Sequence, residues 1–321
     1  MLPEQSRFLH HAQLTRPIRK PLSLTMSHLI EPSARHSLRY QLTWPVSIAR
    51  RQRALTRLTH GAVAYSQRLW QMRFFWLSLV RKDILSRYRH SLLGVGWSLL
   101  QPIAMTTVIC IAFHSIFRVS IRQYAPFLLV GLSVWSFLSS VMLQGCQSFR
   151  ISESYIRQFP APLAIYSLRM VLVCGFHFII SLSVVVLLSM ALRGFSDFAA
   201  LLTLVPTAIL LFLIGWSLAT IAGLATAIFP DVPHLAEVSL QLLFYATPVM
   251  YPAEALKGNA FGWLLAWNPV AVLLDLVREP VLNGTVVPFE RFAVGGLMAL
   301  ALMATAIGLL WRLERKFVYF L

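Results

Sequence analysis

Nine histidines, twelve carboxylates and three cysteines are the side chains that acid–base, nucleophilic or metal chemistry would draw on in this chain of 321 residues. Their spacing assembles none of these chemistries. No Gly-Lys dipeptide occurs, so the glycine-rich loop that cradles nucleotide phosphates has no candidate. HExxH, GxSxG and metal-spaced Cys/His groups do not occur either, so no catalytic and no metal-ligating residue is assigned. Cys110, Cys146 and Cys174 sit inside apolar runs, where a thiol acts as a small apolar residue at a helix contact. His114 and His177 also lie in apolar runs. An ionisable group there is a functional candidate, yet a hydrogen bond across a helix interface accounts for a lone histidine more simply than a proton relay. Glu153, Asp231, Glu237, Glu254, Asp275 and Glu279 fall in or near connections, so a proton-driven carrier would lack its buried carboxylate. The chain shows no energy source of its own.

The elements that hold these residues are set by composition. Charged residues make up 12% and hydrophobic ones 57%, with a mean hydropathy of +0.68. A soluble domain carries about 25% charged residues, so a soluble globular enzyme is excluded. Six uncharged runs follow one another: Ser98–Phe117, Gln123–Phe149, Met170–Leu192, Phe198–Pro230, Val238–Ala253 and Phe292–Trp311. Five reach the roughly 20 residues needed to cross a hydrocarbon core. Val238–Ala253 is shorter and holds Pro248 and Pro252, so it crosses as a kinked helix or dips in as a broken one. Runs this long without alternation are helices rather than barrel strands. The expectation is an all-α polytopic membrane protein, with six transmembrane helices near 98–117, 126–147, 168–192, 200–229, 236–253 and 292–311.

Charge sets the expected orientation. With the N-terminus inside, cytoplasmic parts of the body carry eleven Lys and Arg against six in the outer loops, so both termini are expected in the cytoplasm. Residues 1–70 hold eleven of the 28 basic residues and two of the twelve acids. Residues 1–65 read as a basic, disordered extension that cannot offset its ordering entropy. They lack the apolar core of a secretory signal. A start at Met26 or Met72 and binding to anionic lipid both remain open readings. Nucleic-acid binding rests on this segment alone and is set aside in view of the apolar body.

Between extension and body, Leu77, Val80, Ile84 and Tyr88 form one helical stripe. Lys82 and Arg89 fall opposite, Arg81 and Arg87 flank it, and Phe75 and Trp76 crowd its start. This predicts an amphipathic helix over 70–90 lying in the membrane interface, aromatics down and basic groups at the lipid phosphates. The alternative is a helix docked on a partner protein.

Residues 87–102, RYRHSLLGVGWSLLQP, with Gly94, Trp97, Gln101 and Pro102, resemble the signature entering the first span of ATP-binding-cassette (ABC) type-2 permeases. The branch most similar exports polysaccharides: O-antigen, capsule and teichoic acid. Residues 124–132 with Trp135 resemble the family's second span, and Gln158-Phe159-Pro160 its next cytoplasmic segment. Pro230-Asp231, Tyr245, Pro248, Tyr251-Pro252, Asn268-Pro269 and Arg278 follow in order. The resemblance covers about residues 70–321, so 66–321 is read as the transmembrane domain.

That resemblance implies a homodimer of six-helix subunits around a channel in a bacterial cytoplasmic (inner) membrane. Two copies of a separate ABC ATPase would lie beneath, carrying the ATP and Mg²⁺ for which this chain has no site. The implied substrate is a lipid-linked glycan, and the chain itself would perform no covalent chemistry. Residues 148–163 would form the coupling helix. There Arg150, Glu153, Tyr155, Arg157 and Phe159, closed by Pro160 and Pro162, suit docking into a groove on another protein. The interrupted stretch Gly258–Leu274 would form short re-entrant gate helices at the outer end. Around it Phe244, Tyr245, Tyr251, Trp263 and Trp267 offer faces on which sugar rings slide, or else an interfacial aromatic belt. A type-2 permease for a drug or lipid is the alternative within this fold. A polytopic membrane transferase is the rival outside it. Asn283-Gly284-Thr285 matches a glycosylation sequon but reads as a turn.

Overall fold

The computed structural model describes residues 62–89, 91, 94–118, 120–159, 161–194, 197–252, 268–314 and 317, and no strand occurs among them. Residues 1–61, Pro160, Trp263 and Trp267 lie outside the described residues, and with them most of the expected extension and of the re-entrant stretch.

Two helices precede the body, α1 (Ala62–Gln71) and α2 (Arg73–Tyr88). The body begins with α3 (Gly96–Phe117) and α4 (Ile121–Ile151), followed by the short α5 (Glu153–Gln158). Next come α6 (Ala164–Arg193), α7 (Phe198–Leu202), α8 (Leu204–Ile228) and α9 (Val232–Ala246). The chain closes with α10 (Pro269–Arg278), a π-helical turn over Glu279–Asn283, and α11 (Phe289–Leu313). Among the described residues, five segments are long and apolar enough to cross a membrane: α3, α4, α6, α7–α8 together, and α11. The protein is therefore a multi-pass membrane protein.

The fifth run behaves differently. Helix α9 has 15 residues, about 22 Å at 1.5 Å per residue. Its start packs Ala236 against Cys146 and Ala222, late in α4 and α8. Just beyond its end, the Met250 carbonyl accepts a 2.6 Å hydrogen bond from Tyr124 in the first turn of α4. The chain thus passes from the end of the bundle that carries α5 to the end that carries α10. It does so as a short helix followed by an irregular turn that holds Pro248 and Pro252. Among the described residues five helical segments are of full span length, and α9 is shorter than these.

Helix α4 is the axis. Leu128, Val130, Val134 and Val141 are fully buried between α3, α6, α8, α9 and α10. Its approach to α8 is close because small residues line both sides. A side chain at Gly223 would lie 2.7 Å from the Gly145 carbonyl oxygen, and one at Gly145 would run into the Ala219 backbone. The outward faces of α3 (Leu100, Val108, Ile111) and α11 (Val294, Leu297, Leu300) remain apolar and exposed, as lipid requires.

The expected helix over 70–90 is two helices that break at Met72. Helix α2 also has two faces. Leu79, Val80 and Asp83 pack toward α6, whereas Phe74, Leu77 and Leu85 are exposed on the opposite side. Leu77 therefore parts from Val80, with which it was grouped. The physical reason is the ion pair of Asp83 with Arg169 on α6, which fixes the rotation of α2. Asn283, expected in a turn, is the last residue of the π-helical segment, and Gly284 caps it in the left-handed conformation at φ 62°.

Candidate functional site

Three groups of side chains carry the candidate chemistry. The first lies at the α5 end. Here α5 is tied to α2 although 73 residues separate them: Lys82 donates to the Tyr155 hydroxyl at 3.2 Å. The Phe75 ring lies 6.4 Å from that of Tyr155 and 6.3 Å from that of Phe159. Arg157 and Glu153 pair within α5 at 2.9 Å, an exposed bridge of small energetic weight. Arg150, Ile151 and Phe159 are exposed beside them. Helix α2 is held in turn to α6. Arg169 forms a two-pronged pair with Asp83 and also reaches the Ser152 hydroxyl. Further along, the Tyr88 hydroxyl shares a 2.9 Å hydrogen bond with Nδ1 of His177, the cross-helix bond expected for a lone histidine. Bonds at 83 to 169 and 88 to 177 run in the same chain direction, so α2 runs alongside α6.

The start of α6 has its own closure. The Tyr65 hydroxyl accepts from the Ala164 amide, and Glu314, just past α11, accepts from the Leu163 amide. Burial pushes the Glu314 carboxyl above the usual carboxylate range, against the pull of the Leu163 amide, Tyr65 and Arg68. Burial raises Tyr65 as well, with the Glu314 charge adding to it.

The second group is a pair of cavities along α4. One, of about 310 Å³, lies between α2, α3, α4 and α6. Arg87, Tyr88, Trp97 and His177 line it together with the α4 residues Ser133, Ser136, Ser140 and Gln144, which recur on one helical face. The other, of about 300 Å³, is lined by Trp135, Leu240, Gln241, Phe244 and Tyr245. The two meet at Gln101, Pro102 and Ser136. Thus the signature residues Trp97, Gln101 and Pro102 face cavities, while Gly94 serves the turn before α3. It adopts φ 51°, and its amide donates to Ser91 Oγ. Of the aromatic set, Phe244 and Tyr245 line the second cavity, and Tyr251 is hydrogen-bonded to the Tyr245 carbonyl at 3.0 Å. Trp135 belongs with them, its ring 5.4 Å from Phe244. The polar stripe of α4 was readable as spaced hydroxyls in an apolar run, but sequence reasoning passed over it.

The third group closes the α10 end. Arg278, expected in an outer loop, is 7% exposed. It donates to the Pro248 and Val249 carbonyls at 2.7 and 2.8 Å and stacks 3.8 Å over Phe127. A helix broken by proline leaves carbonyls without partners, and Arg278 supplies the donors. Asn268 caps α10 through Val270 and donates from Nδ2 to Thr247 Oγ1 at 2.9 Å, which stitches α10 to the end of α9. No group of three or more metal-ligating side chains occurs among the described residues.

Comparison with known proteins agrees with this architecture. Residues 75–282, from α2 through the π-helical turn, match the membrane domain described as ABC-2 type transporter. The O-antigen export system permease protein RfbA of Myxococcus xanthus is 26% identical over 245 residues, 76% of this chain and 91% of that protein. RfbA of Klebsiella pneumoniae is 24% identical over 241 residues, 74% and 92% of the two chains. The polysialic acid transport protein KpsM of Escherichia coli is 23% identical over 235 residues, 72% and 90%. The chain belongs to the ABC-2 type transporter membrane family.

Proposed function

We propose that this chain is the permease subunit of an ABC exporter that carries a lipid-linked polysaccharide, of the O-antigen, capsule or teichoic acid kind, out across the bacterial cytoplasmic membrane. The observation that carries the reading is the second cavity. Trp135, Phe244 and Tyr245 set aromatic faces beside the amides of Gln101 and Gln241 and the hydroxyls of Ser136 and Ser139. Flat apolar faces edged by uncharged hydrogen-bonding groups match the two surfaces of a sugar ring, and leave a chain free to move along them. The names of the relatives point the same way.

A homodimer would place two such paths around one channel, and two copies of a separate ATPase, carrying ATP and Mg²⁺, would dock at the α5 end. Exposed Arg150, Ile151, Arg157 and Phe159 give that end an apolar and basic docking face. The ties of Tyr155 to Lys82 and of Asp83 to Arg169 would pass motion of α5 through α2 into α6. The exposed stripe Phe74, Leu77 and Leu85 would rest in lipid, with both termini in the cytoplasm.

The test is glycan export in a bacterial strain lacking its own exporter and supplied with this chain, the cognate ATPase and the glycan pathway. Phe244→Ala with Tyr245→Ala should slow the appearance of surface glycan at least fivefold while the permease still co-purifies with the ATPase. Normal export by that variant sinks the aromatic path. Failure of the unaltered chain to export any glycan sinks the substrate class.

A further inference from the structure

We propose that Arg118, Arg122 and Arg193, at the ends of α3, α4 and α6, bind the phosphate of an anionic phospholipid in the leaflet at the α10 end. The proposal names a partner in the bilayer and is independent of the exported cargo. Four observations carry it. First, the three arginines share one corner of the bundle. Arg118 caps the end of α3, and Arg122 follows in the first turn of α4. The Arg122 Nε donates to the carbonyl of Leu192, the chain neighbour of Arg193 at the end of α6. Each of the three helices packs against the other two. Second, all three side chains are exposed, and none is ion-paired among the described residues. The other described arginines at this end are engaged within the protein. Arg291 pairs with Glu279 and Asp275, and Arg278 donates to the Pro248 and Val249 carbonyls. Asp197, the carboxylate nearest to Arg193 in the chain, accepts from the Ala199 amide as the cap of α7. Like charges gathered without a counter-charge favour an anion between them. Third, the start of α4 adds to the same field. Ser120 gives no side-chain cap and the first turn holds no acidic residue, so the positive end of a 31-residue helix is left uncompensated. Fourth, exposed apolar side chains lie within two helical turns of the arginines: Ile111 on α3, Ile121 on α4 and Leu187 on α6. At the end of a span, that succession marks the depth of the lipid headgroups, where an arginine lays its stem on acyl chains and its head among phosphates. The guanidinium fork suits phosphate oxygens. A soluble anion would meet the charges alone, whereas a phospholipid meets both the charges and the apolar faces beside them.

The experiment uses the full-length chain in lipid nanodiscs and native mass spectrometry. The probes are phosphatidylglycerol and phosphatidylcholine with the same acyl chains, and inorganic phosphate as a soluble competitor. The unaltered chain should retain phosphatidylglycerol in clear preference to phosphatidylcholine. Arg118→Gln, Arg122→Gln and Arg193→Gln should each lower that retention about fivefold, the size expected for one basic group at an anionic surface. Lysine at the same three positions keeps the charge and should keep most of the retention, which separates loss of charge from loss of fold. Arg291→Gln removes a cation at the same end that is already paired, and should leave retention unchanged. Equal retention of the two lipids overturns the proposal. So does unchanged retention in all three glutamine variants, or an equal loss in Arg291→Gln. Displacement of phosphatidylglycerol by excess inorganic phosphate overturns it as well, since it would show a site for the free anion. Glycan export plays no part in the readout, so the outcome leaves the proposed cargo untouched.

Discussion

Arg169 lies in the first turns of a span, yet its side chain is almost wholly buried, with Asp83 as its carboxylate partner. Removing one member of a buried pair costs more than the pair contributes, because the other charge is left unmatched. Asp83→Asn should therefore destabilise the protein by about 3–5 kcal/mol, read as a lower unfolding midpoint in detergent. The exchanged pair Asp83→Arg with Arg169→Asp should recover part of it; an unchanged midpoint in Asp83→Asn would show the pair to be idle. Glu314 gives a pH test. Burial keeps its proton on to a higher pH in the folded state than in the unfolded chain. Stability from this group is then complete below the ordinary carboxylate value and is lost as pH rises through the raised one. The unaltered protein should lose stability across that interval, and Glu314→Gln, which keeps the acceptor for Leu163, should flatten the slope. At this scale the sequence was only half legible. Buried thiols and a cross-helix His177 followed from their apolar surroundings. Partners such as Lys82 with Tyr155 or Arg278 with Pro248 did not, since nothing local links them.

Helices were easier to read than their contacts. Lipid admits few backbone solutions, so each long uncharged run became a helix, with ends shifted by a few residues. The exceptions have physical causes. Helix α9 stops at Ala246 because the proline-bearing turn that follows finds its donor in Arg278. Helix α1 went unseen because its polar sequence resembles the extension before it, while Tyr65 and Leu69 pack with Phe149, Tyr166 and Phe317. Gly215, Ala219 and Gly223, four apart on α8, are a small-residue stripe visible in the sequence once it is sought. It faces Phe137, Val141 and Gly145 of α4. Gly223→Val should force α4 and α8 apart, at a cost of about 1–3 kcal/mol or more. Gly175→Ala, whose added methyl would meet only Phe212 at 3.9 Å, serves as the tolerated control. Comparable yield of folded protein from both would count against close packing of this pair.

For the whole molecule, charge and geometry agree. Arg73, Arg81, Lys82, Arg87, Arg150, Arg157, Arg169 and Arg312 gather toward the α5 end, while Arg118, Arg122, Arg193, Arg278 and Arg291 gather at the α10 end. The count that predicted orientation thus corresponds to a physical segregation. The tie between α1 and the body also bears on where a functional chain can begin. The Trp76 indole donates to the Leu69 carbonyl, and Tyr65 closes the start of α6. A chain lacking residues 1–61 should fold as the full protein does. One beginning at Met72 should lose stability, seen as aggregation on size exclusion; equal behaviour of the two would show α1 to be dispensable.

The closure at Leu163 has a consequence in time. Its amide waits for Glu314, 151 residues later in the chain. At about 5–20 residues per second, a ribosome needs roughly 8–30 s to supply that partner. Throughout that interval α6 is already made but its first turn lacks one of its caps. The last helix to emerge is thus the one that seals the third long helix, and a nascent chain halted before residue 314 would carry an open seam at the face where the ATPase is expected to dock.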